Sequence, residues 1–94
     1  MANERIGTNA YRFQRNVTLD ASSVPAASFQ VETFTVAGLK ASGGPVVVNK
    51  MVEEAGLALV HSRVSADNTL ALTFHNISGA PVNPASQTYK VVQL

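Results

Sequence analysis

The chain has 94 residues, a formal net charge of +1 and only 14% charged residues. This length allows one small domain, and the weak net charge argues against a protein that binds nucleic acid through bulk electrostatic attraction. The chain has no cysteine and two histidines, which excludes disulfides and, within one chain, a four-ligand zinc site of the Cys/His type. Because 46% of the residues are apolar and few are charged, we expect a partner to cover part of the surface.

Residues 1–12 are predicted to form an N-terminal arm, and residues 13–94 a β-domain. The arm has no apolar periodicity, so it is either a solvated tail or a segment that becomes ordered on a neighbouring subunit. Nucleic-acid contact is a weaker alternative, because the arginines are few. An aromatic and basic cluster at the junction is the candidate partner-binding site, since interfaces favour arginine and tyrosine. Its residues are Arg5, Tyr11, Arg12, Phe13 and Arg15.

No apolar run reaches the roughly 18 residues of a membrane span, and none forms a signal peptide behind the N-terminus. We therefore expect no membrane partner. Residues 13–19 are predicted to form a first strand, although Arg15 lies on its apolar phase. Residues 20–28 are rich in turn formers and small residues, which is typical of a connector.

The second predicted strand, residues 29–36, changes phase along its length. Phe29 and Val31 share one face, whereas Phe34 and Val36 share the other. Two structures satisfy this pattern. A β-bulge at residues 32–33 would bring all four side chains to the core, and without a bulge the strand would be buried on both faces.

The middle of the chain combines a short strand and a turn. Residues 45–50 begin with a proline followed by three β-branched valines and predict a strand, and residues 51–56 predict one helical turn that ends at a glycine. Glu53 and Glu54 form the only acidic doublet. They could act as a general acid and base, but such chemistry needs a partner that the sequence does not supply. A solvated turn is therefore the favoured interpretation.

Residues 57–76 carry the strongest pattern and predict a β-hairpin around which the other strands are arranged. Apolar residues alternate with polar ones on both arms, and Asp67 and Asn68 suit the turn between them. The predicted register places Val64 opposite Leu70, Ser62 opposite Leu72 and Val60 opposite Phe74.

His61 and His75 lie on the same phase of this hairpin. In the predicted register His61 faces Thr73 and His75 faces Leu59, so the two imidazoles are diagonal neighbours. They could hold a metal ion, or they could be two polar residues on a solvent or interface face. No carboxylate flanks either histidine at ligand spacing, so we expect no metal and no other cofactor.

Residues 77–86 contain glycine and proline and predict a loop, and residues 87–94 predict a last strand. The sum is an all-β fold: a small antiparallel β-sandwich or barrel of about six strands with an extended N-terminal arm. No serine, threonine or glutamate has the motif context of a catalytic residue, so we predict no catalytic site and no enzyme.

Several short segments combine turn residues, glycines and core aliphatics. Over residues 27–94 this combination resembles a small β-domain that recurs in structural proteins of tailed bacteriophages and prophages. The segments are Phe-Thr-Val-Ala-Gly-Leu-Lys at 34–40, Val-Val-Val-Asn-Lys at 46–50, Ala-Gly-Leu at 55–57, Arg-Val-Ser-Ala-Asp-Asn-Thr-Leu at 63–70 and Thr-Phe-His-Asn at 73–76, with Pro84 and Tyr89.

The resemblance implies a protein that is made in the host cytoplasm and resides on the virion. A capsid decoration, or cement, protein is expected, since the sequence holds one short domain and an arm. It would bind the major capsid protein or other virion proteins and form a homo-oligomer, for which we expect a trimer because capsids offer threefold positions. A head-fibre base, neck or tail component is an alternative, and a carbohydrate- or receptor-binding module is another.

Overall fold

The computed structural model describes residues 13–94, and six β-strands lie within them. They are β1 (Phe13–Leu19), β2 (Ser28–Thr35), β3 (Val46–Lys50), β4 (Leu57–Ala66), β5 (Thr69–Asn76) and β6 (Gln87–Gln93). They form two three-stranded antiparallel sheets, ordered β1–β6–β3 and β2–β5–β4. The predicted all-β fold is confirmed, with a sandwich-like arrangement. This part of the chain holds no helix long and apolar enough to cross a membrane.

The core lies between the two central strands. Leu70, Leu72 and Phe74 of β5 and Tyr89 and Val91 of β6 are all 0% exposed. These residues occupy every second position of their strands, so one face of each strand is wholly buried. The flanking strands β1, β2, β3 and β4 contribute partly buried apolar side chains around this centre.

The register of the β4–β5 hairpin agrees with the prediction near the turn. Val64 lies opposite Leu70, and Ser62 lies opposite Leu72. Asn68 in the turn has φ 64°, a left-handed conformation that asparagine tolerates.

Farther from the turn the predicted register is wrong. Leu59 rather than Val60 lies opposite Phe74, because Val60 is an extra residue in a bulge between Leu59 and His61. The bulge lets the apolar Leu59 face Phe74, while Val60 is 48% exposed.

Strand β2 contradicts both structures predicted for it. It pairs with β5 in an unbroken register, without a bulge. Phe29 and Val31 face outward and are 65% and 63% exposed, so they are not core residues. The inward positions beside them hold Gln30 and Glu32, whose side chains reach the connector before β2: the Gln30 amide donates to Ser23 O and Glu32 accepts from Ser22. The polar side chains at these inward positions therefore have hydrogen-bond partners, and β2 keeps one regular alternation along its length.

Two buried side-chain amides fasten loops to the ends of the sandwich. Asn76, which is 0% exposed, donates to Val24 O at 3.0 Å. Gln93, also 0% exposed, donates to Lys40 O at 2.8 Å and to Gly44 O at 3.0 Å, and accepts from Lys40 N at 3.1 Å. Each amide replaces the hydrogen bonds to water that burial removes, so these loops are held by directional contacts as well as by apolar packing.

The predicted helical turn at residues 51–56 is wrong: the segment is a bend followed by a turn. Glu54 is only partly exposed, and its carboxylate forms an ion pair with the Lys50 ammonium. It also accepts from Ala85 N at 3.3 Å and from the Gln87 amide at 3.2 Å. The interpretation of this doublet as solvated therefore holds for the exposed Glu53 and fails for Glu54.

Candidate interaction surface

The outer side of the β2–β5–β4 sheet carries a group of exposed apolar side chains, here named the apolar face. Phe29 and Val31 come from β2, Val60 from the bulge of β4, and Ile77 directly follows β5 on the same alternation as His75. Their exposed fractions are 65%, 63%, 48% and 72%, respectively. Single exposed apolar residues are ordinary, but a group on one sheet face is typical of a surface that another molecule covers.

An aromatic pair lies within the apolar face. Phe29 and His75 are directly opposite in the β2–β5 register, and their rings stack with centroids 4.0 Å apart and planes 4° from parallel. Each ring limits the rotation of the other, so the exposed phenyl ring is held in place before any partner binds. Pre-ordered aromatic side chains lose little conformational entropy on association.

The two histidines lie on this sheet in a different relation from the predicted one. His61 faces Thr73 as predicted, but His75 faces Ala58 rather than Leu59, because the bulge at Val60 shifts the pairing. Within residues 13–94, no three His, Cys, Asp or Glu side chains are grouped so that they could hold a metal ion. His75 instead packs on Phe29, and His61 is exposed.

The predicted partner-binding residues divide into two groups. Arg5, Tyr11 and Arg12 lie outside the described residues. Phe13 packs against the core at the start of β1, and Arg15 donates to Ala37 O at 3.1 Å with its guanidinium 6.0 Å from the Phe13 ring centroid.

The Phe13 ring lies so close to Gly38 that a side chain at position 38 would not fit. A Cβ atom there would lie 2.6 Å from Phe13 Cε1, and the φ of Gly38 is 105°, which also favours glycine. Phe13 and Arg15 therefore have roles within the domain. Their binding of a partner stays a prediction.

Two clefts of about 310 Å³ each lie between β3 and β4, which belong to different sheets. Such volumes are at the lower end of the range for small-molecule sites, roughly 300–1,000 Å³. Lys50 lines the first cleft, but its ammonium is bound by the Glu54 carboxylate and by Val52 O. The charge of Lys50 is thus used to fix the turn after β3.

Two titratable side chains have shifted pKa values. Burial raises the pKa of Glu54, but hydrogen bonds from Lys50 and Ala85 and the Lys50 charge outweigh burial and hold that pKa below its ordinary value. Burial, with smaller contributions from the charges of Glu54, Glu32 and Asp20, raises the pKa of Tyr89 to about 12. Tyr89 therefore keeps its proton at neutral pH, as a core side chain.

Sequence reasoning missed the apolar face because it assigned Phe29 to the core. A signal was present: Phe29 and Val31 alternate with Gln30 and Glu32 on one regular period of two. This pattern alone does not show which side is inside, because in β2 the side that carries Phe29 and Val31 is the exposed one.

No protein-family model, no curated protein and no solved structure matches this chain.

Proposed function

We propose that the protein is a bacteriophage virion structural protein, and within that class a decoration protein that binds the head surface and stabilises it. The apolar face carries the proposal, because large apolar side chains on a rigid sheet suit a protein–protein contact better than a solvent-facing surface. The resemblance of residues 27–94 to phage structural domains supplies the class of partner: the major capsid protein or another virion protein.

The composition supports the same class. A sparse 14% of charged residues fits a surface that is covered in an assembly, where desolvating charges is costly. Residues 1–12 and the cluster at their junction stay a predicted second contact. The trimer expected from the sequence also stays a prediction, and sedimentation at micromolar concentration distinguishes it from a dimer.

Binding to empty capsid shells tests the proposal. The shells are assembled from the major capsid protein of the same genome and sedimented with the purified chain. Phe29→Ser should weaken binding roughly tenfold or more, because aromatic anchors dominate interface energies. Val47→Ser is the matched control, since Val47 is 57% exposed on β3 of the other sheet.

Wild-type protein that fails to bind the shells would contradict a decoration role. Binding to purified necks, tails or head fibres instead would show that the apolar face binds another virion component. Equal binding by Phe29→Ser and wild type would show that the attachment surface lies elsewhere on the chain.

A carbohydrate-binding module is a second candidate, and the exposed Phe29–His75 stack favours it. Sugar rings pack on exposed aromatic faces, although the sequence offers no tryptophan for this purpose. Binding to a panel of bacterial surface glycans, abolished by Phe29→Ser and unaffected by Val47→Ser, would support this function over decoration.

A further inference from the structure

Each sheet has two edge strands, and an edge strand presents backbone N–H and C=O groups that can pair with another chain. Three of the four edges carry a feature that discourages such pairing. β1 carries Arg15, whose guanidinium binds the neighbouring loop at Ala37 O. β3 has five residues, follows Pro45 and contains a lysine, and β4 has two irregularities, at Val60 and Ser65, that interrupt its pairing.

Strand β2 has none of these features. It is eight residues long, has an unbroken register and contains no lysine, arginine or proline. Its one charged residue is Glu32, and the Glu32 carboxylate accepts from Ser22 N at 2.8 Å on the inner side. Among residues 13–94, the backbone–backbone hydrogen bonds of β2 all go to β5, so its other edge is open in the described part of the chain.

The residues that face this open edge follow from the alternation of the strand. Val36 N donates to Asn68 O at 2.9 Å, in the turn that joins β4 to β5. Backbone groups of successive strand residues point to opposite sides, so the even-numbered residues of β2 point toward β5. Phe29, Val31 and Thr33 therefore direct their N–H and C=O groups outward.

We propose that the open edge of β2 pairs with β2 of a second copy of this chain. The two strands run antiparallel about a two-fold axis at Val31, which joins two three-stranded sheets into one sheet of six strands. Residues 28–34 of each copy then form the pair, with Val31 opposite Val31, Phe29 opposite Thr33 and Glu32 opposite Gln30.

The sequence of β2 favours a second β2 strand as its partner and also favours one register for the pair. A shift of the axis to Glu32 would pair residues 29–35 over the same length, but it would bring two glutamates directly opposite each other, which is destabilising. The axis at Val31 opposes no like charges and places β-branched and aromatic side chains beside each other on the exposed side. β2 is thus complementary to itself.

The two-fold pairing has a structural consequence for the apolar face. A two-fold axis perpendicular to the sheet keeps both copies of the apolar face on the same side, so they become one continuous surface. Each copy uses its β2 edge once, so the contact closes at two chains and does not extend into a fibre. This inference stands apart from the proposed virion role, since it requires only the chain itself.

Sedimentation of matched variants tests the pairing. Wild-type protein should sediment at twice the chain mass of 9.9 kDa. Thr33→Pro removes an N–H that points outward, and proline is tolerated on an edge strand at such a position. This variant should sediment as a folded monomer with an unchanged circular dichroism spectrum, whereas Thr33→Val, which keeps the N–H, should remain a dimer.

Cross-linking provides a second readout that does not depend on a proline variant. The chain has no cysteine, so a single introduced cysteine reports one contact. Directly opposed, hydrogen-bonded residues have Cα atoms about 5.5 Å apart, within the disulfide range of about 4.4–6.8 Å. Val31→Cys should form a disulfide dimer under mild oxidation, and Val47→Cys on the other sheet should form it much more slowly.

Several results would overturn the pairing. Wild-type mass equal to one chain, or to three, contradicts a two-fold contact. Thr33→Pro that stays dimeric contradicts the use of the β2 edge. If Thr33→Pro loses its fold, the cysteine variants decide: equal cross-linking of Val31→Cys and Val47→Cys shows that β2 is not the contact.

Discussion

Phe74 and Phe29 lie in adjacent strands of one sheet, yet one is 0% exposed and the other 65%. Phe74 points between the sheets and packs with the core residues of β5 and β6. Phe29 points away from the core and stacks on His75. Both residues are equally apolar, so the difference arises from the phase of the strand and not from the side chain. Apolar character indicates that a residue is suited to burial, and the register decides whether its own chain or a partner buries it.

The largest expected effect is a difference in stability between variants of the two phenylalanines. Phe74→Ala should lower the free energy of unfolding by about 3–5 kcal/mol, because it leaves a cavity at the centre of the core. Phe29→Ala should lower it by less than about 1 kcal/mol, because the ring is mostly in solvent. Urea denaturation of both variants measures the difference. Equal midpoints for the two variants would mean that the assigned inside and outside of this sheet are wrong.

The same contrast explains how much of the fold the sequence predicts. Strand β5 is predicted both in its position and in its buried side, because Leu70, Leu72 and Phe74 alternate with smaller or polar residues. For β6 the pattern predicts only the position, since the polar Gln93 shares the phase of Tyr89 and Val91 and the buried side does not follow from it. Strand β2 was misassigned because Gln30 and Glu32 point inward, where Ser22 and Ser23 satisfy them. Those contacts join residues that are distant along the connector, so local periodicity cannot show them.

The bulge at Val60 was missed for a related reason. It adds one residue to β4 so that Leu59 can face Phe74, and only the packing between strands favours it. Both errors concern residues of the apolar face, because Val31 of β2 and Val60 of the bulge are exposed there. The contacts between strands, rather than the composition of any one strand, thus created the candidate site.

Glu54 and Glu53 offer a charged version of this contrast in neighbouring residues. Glu54→Gln should lower the free energy of unfolding at pH 7 by about 1–3 kcal/mol, because it leaves the mostly buried Lys50 ammonium without its counter-charge. Glu53→Gln, at an exposed position, should change it by less than about 0.5 kcal/mol.

The effect of Glu54 should depend on pH in a defined direction. Its pKa in the folded protein lies below the ordinary value of 4.5, so the stabilisation is present above about pH 4.5 and is lost as the pH falls through the folded pKa. Denaturation midpoints between pH 7 and pH 3 should therefore converge for wild type and Glu54→Gln at the acid end. A constant gap over that range would show that the carboxylate charge is not what holds the turn.

The smallest expected effect concerns the aromatic stack on the apolar face. A double-mutant cycle with Phe29→Ala and His75→Ala should give a coupling free energy of about 0.5 kcal/mol, in the range of cross-strand pairs. The coupling is small because both rings are partly in water, but the stack fixes the orientation of Phe29 on the exposed side. His75→Ala should therefore weaken binding of the partner while the midpoint of unfolding hardly changes. Zero coupling in the cycle, together with unchanged partner binding, would show that the stack does not pre-order the phenyl ring.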